Sequence, residues 1–263
     1  MFISMRLKRT VSSRLRVAVL LSSSAVCAGA ALWWWPAAGG GGEQGFVDDL
    51  DGWDAARWER SDGWSNGDWT GCSWRADNIV FDDGKMTLVL DHKRGRDHPM
   101  ACGEYRTHER YPYGRYEVSM KAARGSGVVS AFFIYTGPPF GDPWHETTIE
   151  ILGRDPTKVD FTLFFEGEHN PTTVDLGFDA AEDFHTYAIE WTPEAIRWSV
   201  DGRVLHVDAK DEQPLPSRPG RIFAQIWNAG EGVEEWLGPY RDTGAPARAT
   251  YDWIRFVPLE ADD

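Results

Sequence analysis

From Phe46 onward the chain consists of short runs of alternating apolar and polar residues, each closed by turn-forming residues. Alternation with a period of two is typical of strands that bury one face, and no stretch of this region keeps the period of a helix. Examples are 85–90 (KMTLVL), 114–120 (GRYEVSM) and 188–191 (AIEW). Many short strands with no helices between them predict an all-β fold, a two-sheet β-sandwich of the jelly-roll type.

One pair of runs predicts a tight hairpin. Residues 196–200 (IRWSV) and 203–207 (RVLHV) are joined by Asp201-Gly202. This dipeptide favours the positive φ angles that a two-residue primed turn requires. Further turn signals occur at 83–84 (DG), 125–127 (GSG) and 137–139 (GPP). We therefore expect short connections between neighbouring strands.

Size and charge narrow the classes of partner. A β-sandwich of this length can be one unit, and no internal repeat or linker follows Gly42, so 46–263 is predicted to be a single domain. Lys and Arg total 27 against 41 Asp and Glu, a formal net charge of -14. Because that charge repels polyanions, we expect no nucleic-acid partner and a neutral ligand instead.

Tryptophan is unusually frequent. The chain has 14 tryptophans, more than a core of this size requires. Surplus aromatic faces commonly stack on flat apolar ligand surfaces such as sugar rings or bases. Packing within the core is the alternative for each of them.

The N-terminus has a targeting pattern. Basic residues between positions 6 and 16 precede an apolar or small-residue run from Val17 to about Leu32. This pattern predicts a signal peptide over 1–38, followed by a Gly-rich spacer over 39–45, and hence a secreted or periplasmic protein. The alternative is an uncleaved signal anchor through residues 17–35, because the three tryptophans at 33–35 extend the run toward the length of a membrane span.

Two cysteines, Cys72 and Cys102, remain if the signal is removed. In an oxidising compartment a single disulfide is expected, and two buried free thiols are the alternative.

The segment 144–153 (WHETTIEILG) carries the candidate chemistry. His-Glu opens the zinc-protease motif HExxH, but the residue four positions after His145 is Ile149, so the motif is incomplete. The β-branched residues of this segment favour a strand. A strand sends Glu146, Thr148 and Glu150 to one face and residues 147, 149 and 151 to the other.

Two interpretations of that polar face stay open from periodicity alone. It is either a solvated strand surface or a pair of catalytic carboxylates. Retaining glycosidases use two such acids, with carboxyl groups about 5 to 5.5 Å apart. Residues i and i+4 of a regular strand have Cα atoms about 13 Å apart. Twist, curvature and inward-leaning side chains would therefore have to bring Glu146 and Glu150 together.

Over essentially the whole chain after Phe46, the sequence resembles the family 16 glycoside hydrolases, and within them the bacterial lichenase group of endo-β-1,3-1,4-glucanases. Residues 144–159 (WHETTIEILGRDPTKV) are similar to the family segment WDEIDIEFLGKDTTKV, and 102–107 (CGEYRT) to CAEYRS. The likeness continues at 62–67 (DGWSNG), 113–138, 184–202, 227–238 (WNAGEGVEEWLG) and 251–256 (YDWIRF). The resemblance implies a jelly roll with a substrate cleft across a concave sheet.

The resemblance also assigns roles to individual positions. Glu146 matches the nucleophile and Glu150 the general acid and base. The positions that match sugar-binding sites of the cleft are Asn66, Glu104, Arg106, Trp144, Trp227 and Trp236. Packing, a surface ion pair or a turn is the alternative role at several of these positions. Cys72 and Cys102 match the family's disulfide, and Asp252, with the carbonyls of Asp49 and Gly84, matches a structural calcium site.

The sequence departs from the family pattern close to the chemistry. The middle Asp of the family's E-x-D-x-E motif is Thr148, and the Asp before the nucleophile is His145. The family's N-Y-Y is 162–164 (TLF), which removes polar groups from the sugar-binding face, and its M-N-L-W is 224–227 (AQIW). Losing a like charge lowers the pKa of a neighbouring glutamate, so Glu150 is expected to be a poorer acid unless burial raises its pKa. We expect Thr148 to offer its hydroxyl to Glu146, and His145 to be a surface or edge residue on the opposite face.

The sequence therefore predicts a secreted retaining endo-β-glucanase-like hydrolase, or a transglycosylase, that acts on a β-glucan or bacterial exopolysaccharide. The alternative is a glycan-binding protein of the same fold with weakened catalysis. No cofactor is expected for the chemistry. The expected partner is a polysaccharide, the expected state is a monomer, and membrane contact is expected only through an uncleaved anchor.

Overall fold

The structure is a computed structural model that describes residues 44–93 and 97–260, almost entirely as β-strands. The predicted signal segment and most of the spacer lie outside the described residues. The strands are β1 (Phe46–Asp48), β2 (Trp58–Arg60), β3 (Cys72–Trp74), β4 (Ile79–Asp82), β5 (Lys85–Leu90), β6 (Met100–Cys102), β7 (Glu104–Thr107), β8 (Gly114–Lys121), β9 (Val128–Thr136), β10 (His145–Leu152), β11 (Lys158–Phe165), β12 (Glu168–Asp175), β13 (His185–Trp191), β14 (Ala195–Val200), β15 (Arg203–Ala209), β16 (Arg221–Asn228) and β17 (Ala247–Pro258).

Helix is scarce in the described part of the chain. It consists of the four-residue α1 (Glu234–Leu237) and the 3-10 turns Ala76–Asn78 and Pro138–Phe140. None of these helices is long and apolar enough to span a membrane within residues 44–93 and 97–260.

Two large antiparallel sheets form the sandwich. One has the order β15-β14-β13-β8-β17-β5-β4, with β1 also paired to β17. The other has the order β12-β11-β10-β9-β16-β7-β2. Strands distant in sequence are neighbours in both sheets, and this arrangement confirms the predicted two-sheet, jelly-roll architecture.

The predicted hairpin is present. Val200 pairs with Arg203, so Asp201 and Gly202 form the two-residue turn between β14 and β15. Their φ angles are 48° and 77°, both in the left-handed region. A primed turn needs this conformation because its twist matches that of the flanking strands, and glycine adopts it without steric cost.

The core lies between the two sheets and is tied across them by buried polar groups. The indole N–H of Trp198 on β14 donates to the carbonyl oxygen of Thr148 on β10 over 3.0 Å. The hydroxyl of Tyr251 on β17 donates to a carbonyl of the opposite sheet, that of Ala131, over 3.0 Å. Such bonds satisfy backbone groups that the core would otherwise leave unpaired, and they fix β10 against the other sheet.

A disulfide closes the edge of the fold beside the short segment that carries Asn66. Cys72 and Cys102 are bonded, with Cα atoms 5.9 Å apart. They lie on β3 and β6, which pair in a small parallel sheet. The predicted disulfide is therefore confirmed.

Candidate active site

Strand β10 displays the three polar residues of the central motif on one face, as the sequence predicts. Ile149 and Ile151 are fully buried in the core between the sheets. Because side chains alternate along a strand, Glu146, Thr148 and Glu150 project from the outer face of the seven-stranded sheet. The apolar partners of the motif therefore hold its acids in place.

Strand register determines what flanks each glutamate. Glu146 lies opposite Tyr135 of β9 and Phe164 of β11. Glu150 lies opposite Ala131 of β9 and Asp160 of β11. Directly opposite residues share a face, so Glu146 is flanked by aromatic rings and Glu150 by a small residue and a second acid.

Glu146 is held by a tryptophan. The indole N–H of Trp144 donates to Oε2 of Glu146 over 2.8 Å. Burial raises the pKa of Glu146 to about 7, and the hydrogen bond from Trp144 opposes this rise because it favours the carboxylate form.

Glu150 is more strongly shifted. It is 9% exposed. Burial, and then the charges of Glu146 and Asp160, raise its pKa to about 8, and a hydrogen bond from Thr148 opposes the rise. The loss of the middle Asp was expected to leave Glu150 a poorer acid unless burial compensated, and burial does compensate.

The hydroxyl of Thr148 differs from its expected orientation. It donates to Oε2 of Glu150 over 3.3 Å rather than to Glu146. The carboxylate of Glu146 instead accepts the indole N–H of Trp144.

The two shifted pKa values define what the pair can do. Burial raises both pKa values, and the charge of Glu146 raises that of Glu150 further, so the directions of the shifts favour Glu146 as the carboxylate and Glu150 as the carboxylic acid. An anion beside a proton donor suits a reaction that needs a nucleophile and a general acid together.

Aromatic rings extend the site beyond Glu146. Trp144 is 42% exposed and stacks on Phe164 with ring centroids 5.4 Å apart and planes 7° apart. Phe164 in turn stacks on His169 of β12 at 5.3 Å. The stacked rings present an apolar surface beside the carboxylates, as a sugar-binding face requires.

Tryptophans also gather beyond Glu150. Trp227 is 3% exposed and contacts Trp236 of α1, with centroids 6.1 Å apart. Trp69, which the sequence analysis did not single out, packs edge-on against Trp227 at 5.0 Å and is 41% exposed. The broad exposed ring of this group is that of Trp69. The surplus of tryptophan in the composition is the only sequence signal that pointed to it.

The remaining predicted sugar-binding residues lie in polar networks. Glu104 is buried and accepts hydrogen bonds from Ser61 and Gln225, and burial raises its pKa. Arg106 forms an ion pair with Glu59 at 2.6 Å, and its Nη1 lies 3.6 Å from Glu104. The register of β16 with β7 and β9 places Glu104 and Arg106 on the same face as the acids.

Asn66 lies near the small parallel sheet. Its side-chain oxygen accepts the indole N–H of Trp74 over 3.2 Å. This bond orients the Asn66 amide, because an amide whose oxygen accepts a hydrogen bond turns its NH₂ group the other way.

Two details of the sequence interpretation are corrected. His145 is buried rather than a surface or edge residue: it stacks on Phe165 at 4.8 Å, and neither of its ring nitrogens has a hydrogen-bond partner in the described part of the chain. Leu163 is a core residue, so among residues 162–164 only Thr162 and Phe164 share the face of the acids. In both cases the alternation of side chains along the strand turns the residue inward, between the two sheets.

The described residues offer no evident cluster of metal-binding side chains. Within 44–93 and 97–260, no group of three or more His, Cys, Asp or Glu side chains is arranged to hold a metal ion.

Comparisons with known proteins agree with this arrangement. The sequence model of the glycosyl hydrolases family 16 matches residues 52–255. A β-glucanase of Bacillus subtilis (strain 168) is 44% identical over 214 residues, which cover 81% of this chain and 86% of that protein.

Solved structures give the same result. The β-glucanase of Bacillus licheniformis superposes with a TM-score of 0.77 at 42% identity, over 84% of this chain and 100% of that one. A prokaryotic β-1,3-1,4-glucanase (lichenase) from a mouse hindgut metagenome gives a TM-score of 0.76 at 43% identity, over 82% and 99% of the two chains.

Proposed function

The chain belongs to glycosyl hydrolase family 16, and we propose that it is a retaining endo-β-glucanase that cleaves mixed-linkage β-glucan with Glu146 as nucleophile and Glu150 as general acid and base. One observation carries the assignment: half-buried Glu146 and buried Glu150 share the outer face of β10, and the pKa of Glu146 is the lower of the two.

In the first half-reaction the Glu146 carboxylate attacks the anomeric carbon and forms a glycosyl ester. The bond from that carbon to the leaving sugar oxygen breaks, and Glu150 gives its proton to this oxygen. The pKa order supports these roles, since Glu146 is the first of the two to become an anion and Glu150 the last to lose its proton.

In the second half-reaction Glu150, now a carboxylate, removes a proton from water. The water oxygen attacks the anomeric carbon, the ester bond breaks, and Glu146 returns to its carboxylate form. Two inversions give net retention. If a sugar hydroxyl replaces water, the same step is transglycosylation.

The aromatic surfaces support binding of an extended sugar chain. Trp144 and Phe164 lie on the Glu146 side of the pair, and Trp69 exposes its ring on the far side of Glu150. Rings on both sides of the acids suit cleavage within a chain rather than at its end. Asn66, Glu104 and Arg106 are proposed to add hydrogen bonds to sugar hydroxyls.

Product analysis tests the proposal. The protein from Phe46 onward, its Glu146→Gln variant and a control, Glu212→Gln, are incubated with mixed-linkage β-glucan, laminarin and a cellulose oligosaccharide. Glu212 is an exposed residue after β15 of the other sheet. Products are identified by reducing-end assay and mass spectrometry.

We expect the parent and Glu212→Gln to release short oligosaccharides from mixed-linkage β-glucan. Glu146→Gln should be slower by about a thousandfold or more, because the amide is not a nucleophile. Glycan binding by parent and variant without products from either would favour the glycan-binding alternative.

Secretion and the domain boundaries belong to the same proposal. We propose that residues 1–38 direct export and that 46–263 is the catalytic domain, active as a monomer on an extracellular polysaccharide. The Cys72–Cys102 disulfide supports an oxidising compartment. N-terminal sequencing of the exported protein would distinguish a cleaved signal from an anchor through 17–35.

A structural calcium ion at Asp252, with the carbonyls of Asp49 and Gly84, would meet a competing cation. The Asp252 carboxylate already pairs with the Lys85 ammonium at 3.1 Å, so an ion bound there would have to displace that cation. If calcium competes with Lys85, calcium should raise the melting temperature of a Lys85→Gln variant more than that of the parent. An equal rise in the melting temperatures of the two proteins would mean that Lys85 does not compete with calcium at Asp252.

A further inference from the structure

We propose that Asp160 is the third carboxylate of the active site, a positioning residue that acts on the reaction through Glu150. The inference rests on the proposed function and adds a residue to it. The position between the two acids on β10 is the uncharged Thr148, so the strand itself supplies no third carboxylate.

Register places Asp160 beside Glu150. The two are direct partners in the antiparallel pair of β10 and β11. Direct partners project from the same face with Cβ atoms about 4.5 to 5.5 Å apart. Asp160 is 6% exposed, so its charge meets Glu150 with little water between them.

The Asp160 carboxylate is held at both oxygens. Thr173 of β12 donates its hydroxyl to Oδ1 over 2.6 Å, and the indole N–H of Trp236 donates to Oδ2 over 2.9 Å. An ionised carboxylate only accepts hydrogen bonds, so one donor on each oxygen suits the anion. These contacts fix the carboxylate in position and explain the orientation of Trp236, whose polar edge faces Asp160.

The charged groups around Glu150 can be named strand by strand. Glu146 lies on β10 and Asp160 on β11, and the partner on β9 is the uncharged Ala131. Burial is the largest cause of the raised pKa of Glu150, followed by Glu146 and then Asp160. A neighbouring anion favours the protonated form, which Glu150 needs as an acid.

The two anions differ over the reaction cycle. When the glycosyl ester forms, Glu146 loses its negative charge, whereas Asp160 keeps its own. In the second half-reaction Glu150 must be a base. Asp160 is then the remaining anion beside it, and it keeps Glu150 basic enough to take the proton from water.

The test compares Asp160→Asn with Asp175→Asn. Asp175 is an exposed aspartate on β12, so the control makes the same change on the neighbouring strand away from Glu150. Two readouts are measured: the pH profile of kcat/KM on mixed-linkage β-glucan, and the titration of the Glu150 carboxyl by ¹³C NMR.

We expect Asp160→Asn to move both the alkaline limb and the Glu150 titration to lower pH by about one unit, because one of two neighbouring charges is removed. Asp175→Asn should leave both unchanged. Adding Thr148→Asp to Asp160→Asn should move the alkaline limb of the pH profile back to higher pH, because it returns a carboxylate to the same face of the sheet.

A Glu150 titration that Asp160→Asn leaves unmoved would overturn the inference, even if activity falls. Should Asp160→Asn not fold, the single variant Thr173→Val is measured instead. This variant leaves the Asp160 charge in place but frees the carboxylate to turn away, so the variant Asp160→Ser, which removes the charge with a smaller side chain, is measured as well. Asp160→Ser should lower the Glu150 titration midpoint, and an unchanged midpoint in a folded Asp160→Ser variant would overturn the proposal. The NMR titration needs no turnover, so a parent that cleaves nothing refutes the proposed function separately.

Discussion

At the scale of single residues, Glu150 keeps its proton near neutral pH because β10 buries it beside two other carboxylates. Its pKa is raised to about 8, above the value of about 7 for Glu146. The same burial that costs stability suits the roles proposed for the pair, since an exposed glutamate would already have lost its proton.

The pH dependence of catalysis follows from these two residues. We expect kcat/KM to rise as Glu146 ionises near pH 7 and to fall as Glu150 loses its proton near pH 8, which gives a narrow optimum between them. Initial rates from pH 5 to 10 would check this profile. Full activity below pH 5 would mean that burial does not shift Glu146 in the working enzyme.

Trp144 is expected to set the acidic limb of that profile. Its indole N–H stabilises the Glu146 carboxylate, so Trp144→Phe should raise the pKa of Glu146 and move the acidic limb up by about half a unit to one unit. Phenylalanine keeps a ring that stacks on Phe164. Trp53→Phe is the matched control, because Trp53 is exposed and donates to the carbonyl of Trp58. An unmoved acidic limb would show that the hydrogen bond does not control Glu146.

At the scale of elements, alternation along β10 was readable from the sequence, and contacts between strands were not. The β-branched residues of 147–151 favour a strand, and the alternation of side chains along a strand assigns Glu146, Thr148 and Glu150 to one face in advance. The partnership of Glu150 with Asp160 depends on the register of β10 with β11, which one strand's pattern does not contain.

The errors at His145 and Leu163 have a related origin. Alternation turns both side chains to the inner face of their strands, but the groups that cover them come from neighbouring elements: His145 packs on Phe165 across the strand pair, and Leu163 joins the core between the sheets. Trp69 was not predicted because it lies in a loop, where the sequence has no alternating apolar and polar pattern to interpret. The resemblance predicts candidate cleft positions, but it carries no information on residues peculiar to this chain.

The disulfide gives a prediction at the same scale. It bridges β3 and β6 across a separation of 30 residues. Replacing both cysteines by serine should lower the free energy of unfolding by roughly 3 to 4 kcal/mol, since the unfolded chain regains the entropy that the loop closure removes. Urea unfolding of parent and variant would measure this difference. A variant as stable as the parent would mean that native strain cancels the constraint.

At the scale of the whole molecule, burial of Glu150 lowers the free energy of unfolding. Folded Glu150 has a pKa of about 8 against an ordinary value of 4.5, so between these values the folded state binds more protons than the unfolded state. The contribution of Glu150 to stability therefore falls as pH rises through this window.

Glu150→Gln should remove that penalty. Relative to the parent, the variant is expected to gain stability between pH 5 and pH 9, on the order of a few kcal/mol. Urea unfolding of both proteins at the two pH values, at equal ionic strength, isolates the effect. A stability difference that does not change with pH would contradict the shifted pKa.

Three independent features of the fold position the candidate site. The inner face of β10 anchors it to the core, the register with β9 and β11 supplies its neighbours, and α1 brings Trp236 over Asp160.

Trapping the glycosyl intermediate tests this account most directly. The parent is incubated with a 2-deoxy-2-fluoro β-glucan oligosaccharide that carries a good leaving group, and peptides are sequenced by mass spectrometry. The account predicts one label, on Glu146 in the peptide that contains 144–153. A label on Glu150, or cleavage of mixed-linkage β-glucan without any trapped ester, would contradict a retaining mechanism with Glu146 as its nucleophile.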